Sequence, residues 1–308
     1  AARAPELMRR AFTQLRSGRP GPVLLEVPHD VAQEDFPESE LRYSPPKAMK
    51  TAGDPQDIRE AVRMLLAAKR PLLWAGQGVL YAQATDELVE FAELTNIPVL
   101  TTLAGKSGYP ENHPLALGTG AASGTLMVAR FLKKTDFCLG LGTSFTLSGF
   151  NAPMPPGIPL AQVTNCAEDL NKDYRASYGA VGDAKLVLGQ LIEAVREAIG
   201  NKQRRSNDEL AAEIDIVRSE WMGRGMPKLT SKEAPISPYR VIWELQRAIP
   251  PAEAIVTHDS GSPRDQMLPF YRSAGPRSYI GWGKSHALGT GLGFAMGAKM
   301  AAPEKVCI

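Results

Sequence analysis

Pro71-Leu-Leu-Trp-Ala-Gly-Gln-Gly78 is a run of five apolar residues that stops at a glycine turn. A run this short, uninterrupted by polar residues and closed by Gly, reads as a strand buried on both faces. The flanking sequence repeats the theme. Upstream, Asp54 is an N-cap candidate and Pro55 suits a first helical turn, predicting a helix to about Ala68. Downstream, a helix over Ala84 to Thr95 precedes a strand, Pro98-Val-Leu-Thr-Thr102. The loop Gly105-Lys-Ser-Gly-Tyr-Pro-Glu-Asn-His-Pro114 follows. Next come a helix over Ser123 to Lys133, strands Phe137-Cys-Leu-Gly-Leu141 and Pro159-Leu-Ala-Gln-Val163, and a helix over Asp183 to Ile199. Short apolar strands alternating with helices predict an α/β domain with a doubly wound parallel sheet over residues 54–200.

Outside this unit the pattern weakens. Residues 201–236 read as a polar linker with a charged helix near Ser206 to Met222. Residues 237–308 open a further domain, in which Ser237-Pro-Tyr239 caps a helix over Arg240 to Ala248. There the strand Ala254 to Thr257 runs into a polar turn at His258-Asp-Ser-Gly261, and Gly289-Thr-Gly-Leu-Gly293 opens a helix of small residues. A strand end beside a glycine-rich helix N-terminus favours an anionic ligand, because unpaired N–H groups and the helix dipole both face it. Val306-Cys-Ile308 reads as the next buried strand. Residues 37–53, with Pro37, Pro45 and Pro46, read as a linker. Residues 1–36 carry an amphipathic helix over Pro5 to Arg16, the stop Ser17-Gly-Arg-Pro-Gly-Pro22, and a strand Val23-Leu-Leu-Glu-Val27. One helix and one strand need a larger sheet. With no initial Met, the segment reads as the tail of a truncated domain.

A formal net charge of +2 over 308 residues argues against nucleic-acid binding by bulk electrostatics. No apolar run reaches the roughly 18 residues of a membrane span. The cysteines Cys138, Cys166 and Cys307 are far apart and odd in number, which points to a reducing compartment, the cytoplasm. His29, His113, His258 and His286 show no metal-ligand spacing. Gly281-Trp-Gly-Lys-Ser285 fails as a phosphate loop because Ser278 stands where its first glycine belongs. Gly76-Gln-Gly78 fails as a dinucleotide fingerprint because Tyr81 replaces the third glycine, leaving a tight β–α turn as the simpler reading. No Gly-x-Ser-x-Gly elbow occurs.

Three segments together carry more information. Ser17 to Val31 resembles the end of the pyrimidine-binding domain of thiamine-diphosphate enzymes. Thr101 to Leu115 resembles the central domain of the acetolactate synthases. Ile255 to Gly261, with Gly289 to Ala302, resembles the start of the diphosphate-binding domain. The resemblance implies a partial chain of an enzyme that uses thiamine diphosphate as an electron sink, decarboxylating a 2-keto acid and adding the product to an acceptor carbonyl. It implies cofactor contacts at Gly261, Ser262, Leu288, Gly289, Thr290 and Gly291, with Gly293 either close to cofactor or packed on the sheet. The Gly-Gln-His of acetolactate synthases is Gly261-Ser-Pro263 here, and Leu288 replaces a methionine.

The resemblance places the activating glutamate before Ala1 and the Mg²⁺-binding Asp/Asn motif after Ile308. Glu26 and Glu304 match neither and read as structural or surface residues. It implies a fragment inactive alone, and an intact protein that is a homodimer or homotetramer, without nucleic-acid or membrane partners. FAD stays open. Gly76, Gly78, Thr101, Thr102 and Leu103 are compatible with it, but the arginine expected after Gly142 and the acid expected near Asn165 are absent. Two alternatives stand beside this reading: a 2-hydroxyacyl-CoA lyase or oxalyl-CoA decarboxylase relative, and a non-catalytic nucleotide-binding α/β protein.

Overall fold

The computed structural model describes residues 1–40, 42–200, 207–283 and 287–308. Leu41, the linker residues 201–206 with Ser206, and Lys284, Ser285 and His286 lie outside them.

Helix α1 (Ala4–Arg16) and the single turn α2 (His29–Ala32) precede the first sheet unit. Between them the chain is irregular, and the strand expected at Val23 to Val27 does not form. The apolar composition gave those residues the capacity to pair, but among the described residues no neighbouring strand receives them. Leu24 is consequently 91% exposed.

The central unit runs through α3 (Pro55–Ala67), β1 (Pro71–Ala75), α4 (Gln77–Ala82), α5 (Thr85–Thr95), β2 (Val99–Thr101), β3 (Ala116–Thr119), α6 (Leu126–Lys134), β4 (Phe137–Leu141), β5 (Leu160–Thr164), β6 (Tyr178–Val181) and α7 (Ala184–Ile199). Asp54 caps α3 by accepting from the Gln56 N–H, and Asp183 caps α7 in the same way. The sheet order is β3-β2-β1-β4-β5-β6, every pair parallel. Strands β1, β2, β4 and β5 are buried along their whole length, which is why they read as unbroken apolar runs. The tight β–α turn expected at Gly76 to Gly78 forms, with Gly76 at the N-cap of the short helix α4.

Helix α8 (Asn207–Leu229) is longer than the sequence suggested and joins two cores. Its Ile214 and Val217 pack into the central core, while Leu229 is buried in a second core with Trp221 and Met222 against it. Helix α9 (Pro238–Ala248), β7 (Ala254–Thr257), α10 (Ser262–Met267), β8 (Tyr279–Ile280), α11 (Thr290–Ala301) and β9 (Val306–Cys307) complete the chain. Ser237 occupies the N-cap of α9 but makes no side-chain cap bond. The second sheet is parallel, in the order β8-β7-β9. Strand β9 is an edge strand with Val306 exposed, rather than buried as expected, because β7 is its sole neighbour in the described sheet. Among the described residues no helix is long and apolar enough to cross a membrane.

Candidate functional site

The C-terminal end of β7 and the N-terminal end of α11 meet. Thr257 Oγ1 donates to the Gly291 carbonyl at 3.0 Å. Asp259 accepts from the Gly289 N–H through Oδ2 at 2.8 Å and from the Ser260 N–H through Oδ1 at 2.7 Å. These N–H groups hold the Asp259 carboxyl below the usual carboxylate range. The first donor of the α11 N-terminus is therefore engaged by a carboxylate of the chain itself. Sequence reasoning passed over Asp259. Its position two residues before Gly261, at a strand end, is the signal that could have found it.

The glycines divide by environment. A Cβ at Gly291 would lie 3.1 Å from the Asp259 nitrogen, so Gly291 serves the contact between the two turns. Gly261 (φ +87°) and Gly289 (φ +83°) adopt a left-handed backbone, and an added Cβ on either would meet none of the described residues within 4 Å. A Cβ at Gly293 would likewise meet none of the described residues within 4 Å, so no sheet packs on it among them. The turn at Gly261 becomes helix α10 at Ser262, and both residues are exposed. Leu288 lies exposed beside Gly289. Thr290 Oγ1 is engaged, accepting from Trp282 Nε1 at 2.7 Å and donating to the Ala287 carbonyl at 3.1 Å. The structure thus gathers Gly261, Ser262, Gly289, Thr290 and Gly291 around one junction. Ser260 Oγ is buried there without a hydrogen-bond partner among the described residues.

His258 is buried beneath this turn, its Nδ1 donating to the Asp259 carbonyl at 2.8 Å. Its ring covers Gly281, where a Cβ would lie 1.9 Å from Nε2. Burial first, and the Arg264 charge after it, hold His258 below its ordinary value of about 6.5, against the opposing pull of the Asp259 carbonyl, Asp259 and Asp265. The folded chain therefore binds fewer protons than the unfolded chain just below that value. Stability is full above about pH 6.5 and falls as acid titrates the unfolded histidine. Melting temperatures measured from pH 7.5 to 5.5 should fall for the natural chain. The fall should be shallower for His258→Gln.

The second set of candidate residues lies at the C-terminal edge of the central sheet. The order reverses between β1 and β4, where doubly wound sheets open a ligand crevice. Here the turns after β1 and β4 lie directly against each other. Gly76 donates to Leu141 at 2.8 Å and Gly78 to Gly142 at 2.9 Å. A Cβ at Gly76 would lie 2.2 Å from the Gly142 oxygen. The Phe145 ring sits on Gly140 and meets Trp74 edge-on at 5.6 Å between centroids. Thr101 Oγ1 pairs with Thr119 Oγ1 at 3.1 Å, and Thr102 Oγ1 accepts from the Gly105 N–H at 3.0 Å. Leu103 is buried in the second core. Glu26 and Glu304 are exposed. Among the described residues no three His, Cys, Asp or Glu side chains converge as for a metal ion.

Two family descriptions match the chain: "Thiamine pyrophosphate enzyme, central domain" over residues 58–191 and "Thiamine pyrophosphate enzyme, C-terminal TPP binding domain" over residues 259–308. The second match begins at Asp259. The chain is 31% identical to a probable acetolactate synthase large subunit of Methanococcus aeolicus, over 99% of this chain and 53% of that protein. It is 31% identical to the corresponding Methanocaldococcus jannaschii protein, over 97% and 51%. To the acetolactate synthase isozyme 3 large subunit of Escherichia coli it is 29% identical, over 99% and 54%. The chain spans about half the length of these relatives.

Proposed function

The chain belongs to the thiamine pyrophosphate enzyme family, and from that premise we propose that it carries the diphosphate-holding part of an acetolactate-synthase-type enzyme acting on 2-keto acids. The carrying observation is the junction of β7 and α11, where two left-handed glycines, clear of the other described residues, stand beside the exposed start of α10. When bound, thiamine diphosphate would supply the electron sink for decarboxylation and carbon–carbon bond formation.

The residues of this chain fit the diphosphate half of that group. In this reading the backbone N–H groups of Gly261 and Ser262 face the diphosphate. Gly289 admits it closely because it has no side chain. Asp259 fixes the Gly289 turn, and Thr290 locks that turn to Trp282. Leu288 offers an apolar contact to the organic part of the cofactor. The described residues do not offer a carboxylate set for Mg²⁺, so the metal enters the proposal only as the family's partner for the diphosphate, and no step is routed through it.

Gly76 and Gly78 serve the contact between the turns after β1 and β4, and FAD stays an open part of this reading. The remaining parts of the proposal are a homodimer or homotetramer for the intact protein, a cytoplasmic location in keeping with three free thiols, and no turnover by these 308 residues alone.

A fluorescence titration tests the reading. Trp282 contacts Thr290 and lies 5.7 Å from the Phe294 ring centroid, so it reports on the α11 start. Thiamine diphosphate should produce a saturable change that thiamine, lacking the diphosphate, does not. An equal response to both, or none to either at millimolar ligand, would count against the proposal.

A further inference from the structure

Lys106 and Glu111 lie in the loop after β2 and are both buried, at 1% and 8% exposure. The Lys106 ammonium reaches the Glu111 carboxylate oxygens at 2.7 and 2.6 Å. Its remaining bonds leave the central unit. Nζ donates to the Leu268 carbonyl at 3.3 Å and to the Tyr271 carbonyl at 2.9 Å, and lies 5.1 Å from the Tyr279 ring centroid. Glu111 answers from the other side. Its Oε2 accepts from the Ser273 N–H at 2.8 Å and from Ser273 Oγ at 3.0 Å, while its backbone N–H donates to the Ser273 carbonyl at 3.0 Å.

Leu268 follows the last turn of α10, and α10 starts at Gly261-Ser262. Orphan carbonyls at a helix end attract a cation. Lys106 thus grips one end of a six-residue helix whose other end is the candidate diphosphate contact. The stretch after α10 is held elsewhere as well. Trp221 stacks on Phe270 at 5.4 Å, and Gln246 donates to the Phe270 carbonyl at 2.8 Å. The ion pair is the part of this grip that the central sheet supplies. A buried pair rarely adds net stability over apolar residues of the same shape, which leaves placement of the groups it binds as its contribution.

We propose that Lys106, seated by Glu111, is a positioning residue of the central unit that sets the place of α10 and hence of the Gly261–Ser262 donors. Its cofactor consequence rests on the diphosphate reading above; its structural consequence does not.

The test uses the full chain and the double variant Lys106→Met/Glu111→Leu, which removes both charges at similar volume. Amide exchange is followed across the molecule, and thiamine diphosphate affinity is measured by Trp fluorescence. The expected result is roughly tenfold or faster exchange at 262–273 with β1 and β4 as protected as before. Thiamine diphosphate affinity should weaken about tenfold or more, since misplaced donors lose their geometry. Natural protection at 262–273 together with natural affinity would overturn the proposal. The milder Glu111→Gln removes the negative charge and one of the two oxygens that accept from Lys106, at nearly the same volume, and is read in parallel. If the double variant does not fold, faster exchange confined to 262–273 in Glu111→Gln sustains the proposal, and unchanged exchange overturns it. If the natural chain ignores thiamine diphosphate, the diphosphate reading fails, and the exchange comparison still judges the placement of α10.

Discussion

Replacing Lys106 alone with methionine is expected to destabilise the chain by about 3–5 kcal/mol, the cost of breaking a buried ion pair from one side. The reason is the partner left behind. Glu111 is buried and would keep a carboxylate against Ser273 with its ion-pair partner gone. The Leu268 and Tyr271 carbonyls would also lose their donor. The double variant with Glu111→Leu should recover most of this loss, because the uncompensated charge goes as well. Urea melts of the three chains check the order, which is natural and double variant close together, with Lys106→Met far below. A single variant as stable as the natural chain would mean that the pair is solvated.

Gly76→Ala is the second large effect. The added methyl would meet the Gly142 oxygen at 2.2 Å and the Thr143 Cα at 2.7 Å. Both are backbone atoms at the end of β4, so no rotamer change relieves the clash. Strands β1 and β4 pair from Pro71–Phe137 to Ala75–Leu141, and the turn beyond them would have to separate. Overpacking of this kind costs about 1–3 kcal/mol. Gly297→Ala is the matched control. Gly297 lies inside α11 with nothing within 4 Å of an added Cβ, so alanine there should be neutral or stabilise by up to about 1 kcal/mol. Thermal melts of the two variants should move apart. A Gly76→Ala chain that melts like the natural one would mean that the Gly76–Gly142 contact opens in solution.

The alternation of strand and helix was legible because β1, β2, β4 and β5 are buried on both faces, and such strands cannot hide as polar loops. Three strands were not legible. Ala116-Leu-Gly-Thr119 carries Gly118 at φ +94°, β6 is a half-exposed edge, and β8 has two residues. Val23 to Val27 failed in the opposite direction. Apolar composition records a capacity for pairing, and the neighbour must be supplied by other parts of a sheet. At the candidate site the positions of the glycines were legible but their uses were not. Gly76, Gly78 and Gly291 sit against backbone, whereas Gly261, Gly289 and Gly293 stand clear of the other described residues. A sequence prints the same letter for both. Lys106 and Glu111 were illegible as a buried pair because charged residues in a glycine-rich loop are ordinarily solvated. Asp259 and His258 were read as turn composition, while the structure makes one a tie to α11 and the other a buried ring under the same turn.

The central claim is that the β7–α11 junction holds a diphosphate. Amide exchange of this chain, compared with and without saturating thiamine diphosphate, tests it most directly. The account predicts added protection at residues 259–262 and 287–291, absent with thiamine alone, and none at Gly76, Gly78 or Thr101 to Leu103. Protection at the edge of the central sheet instead, or no change at 259–262 and 287–291, would contradict it.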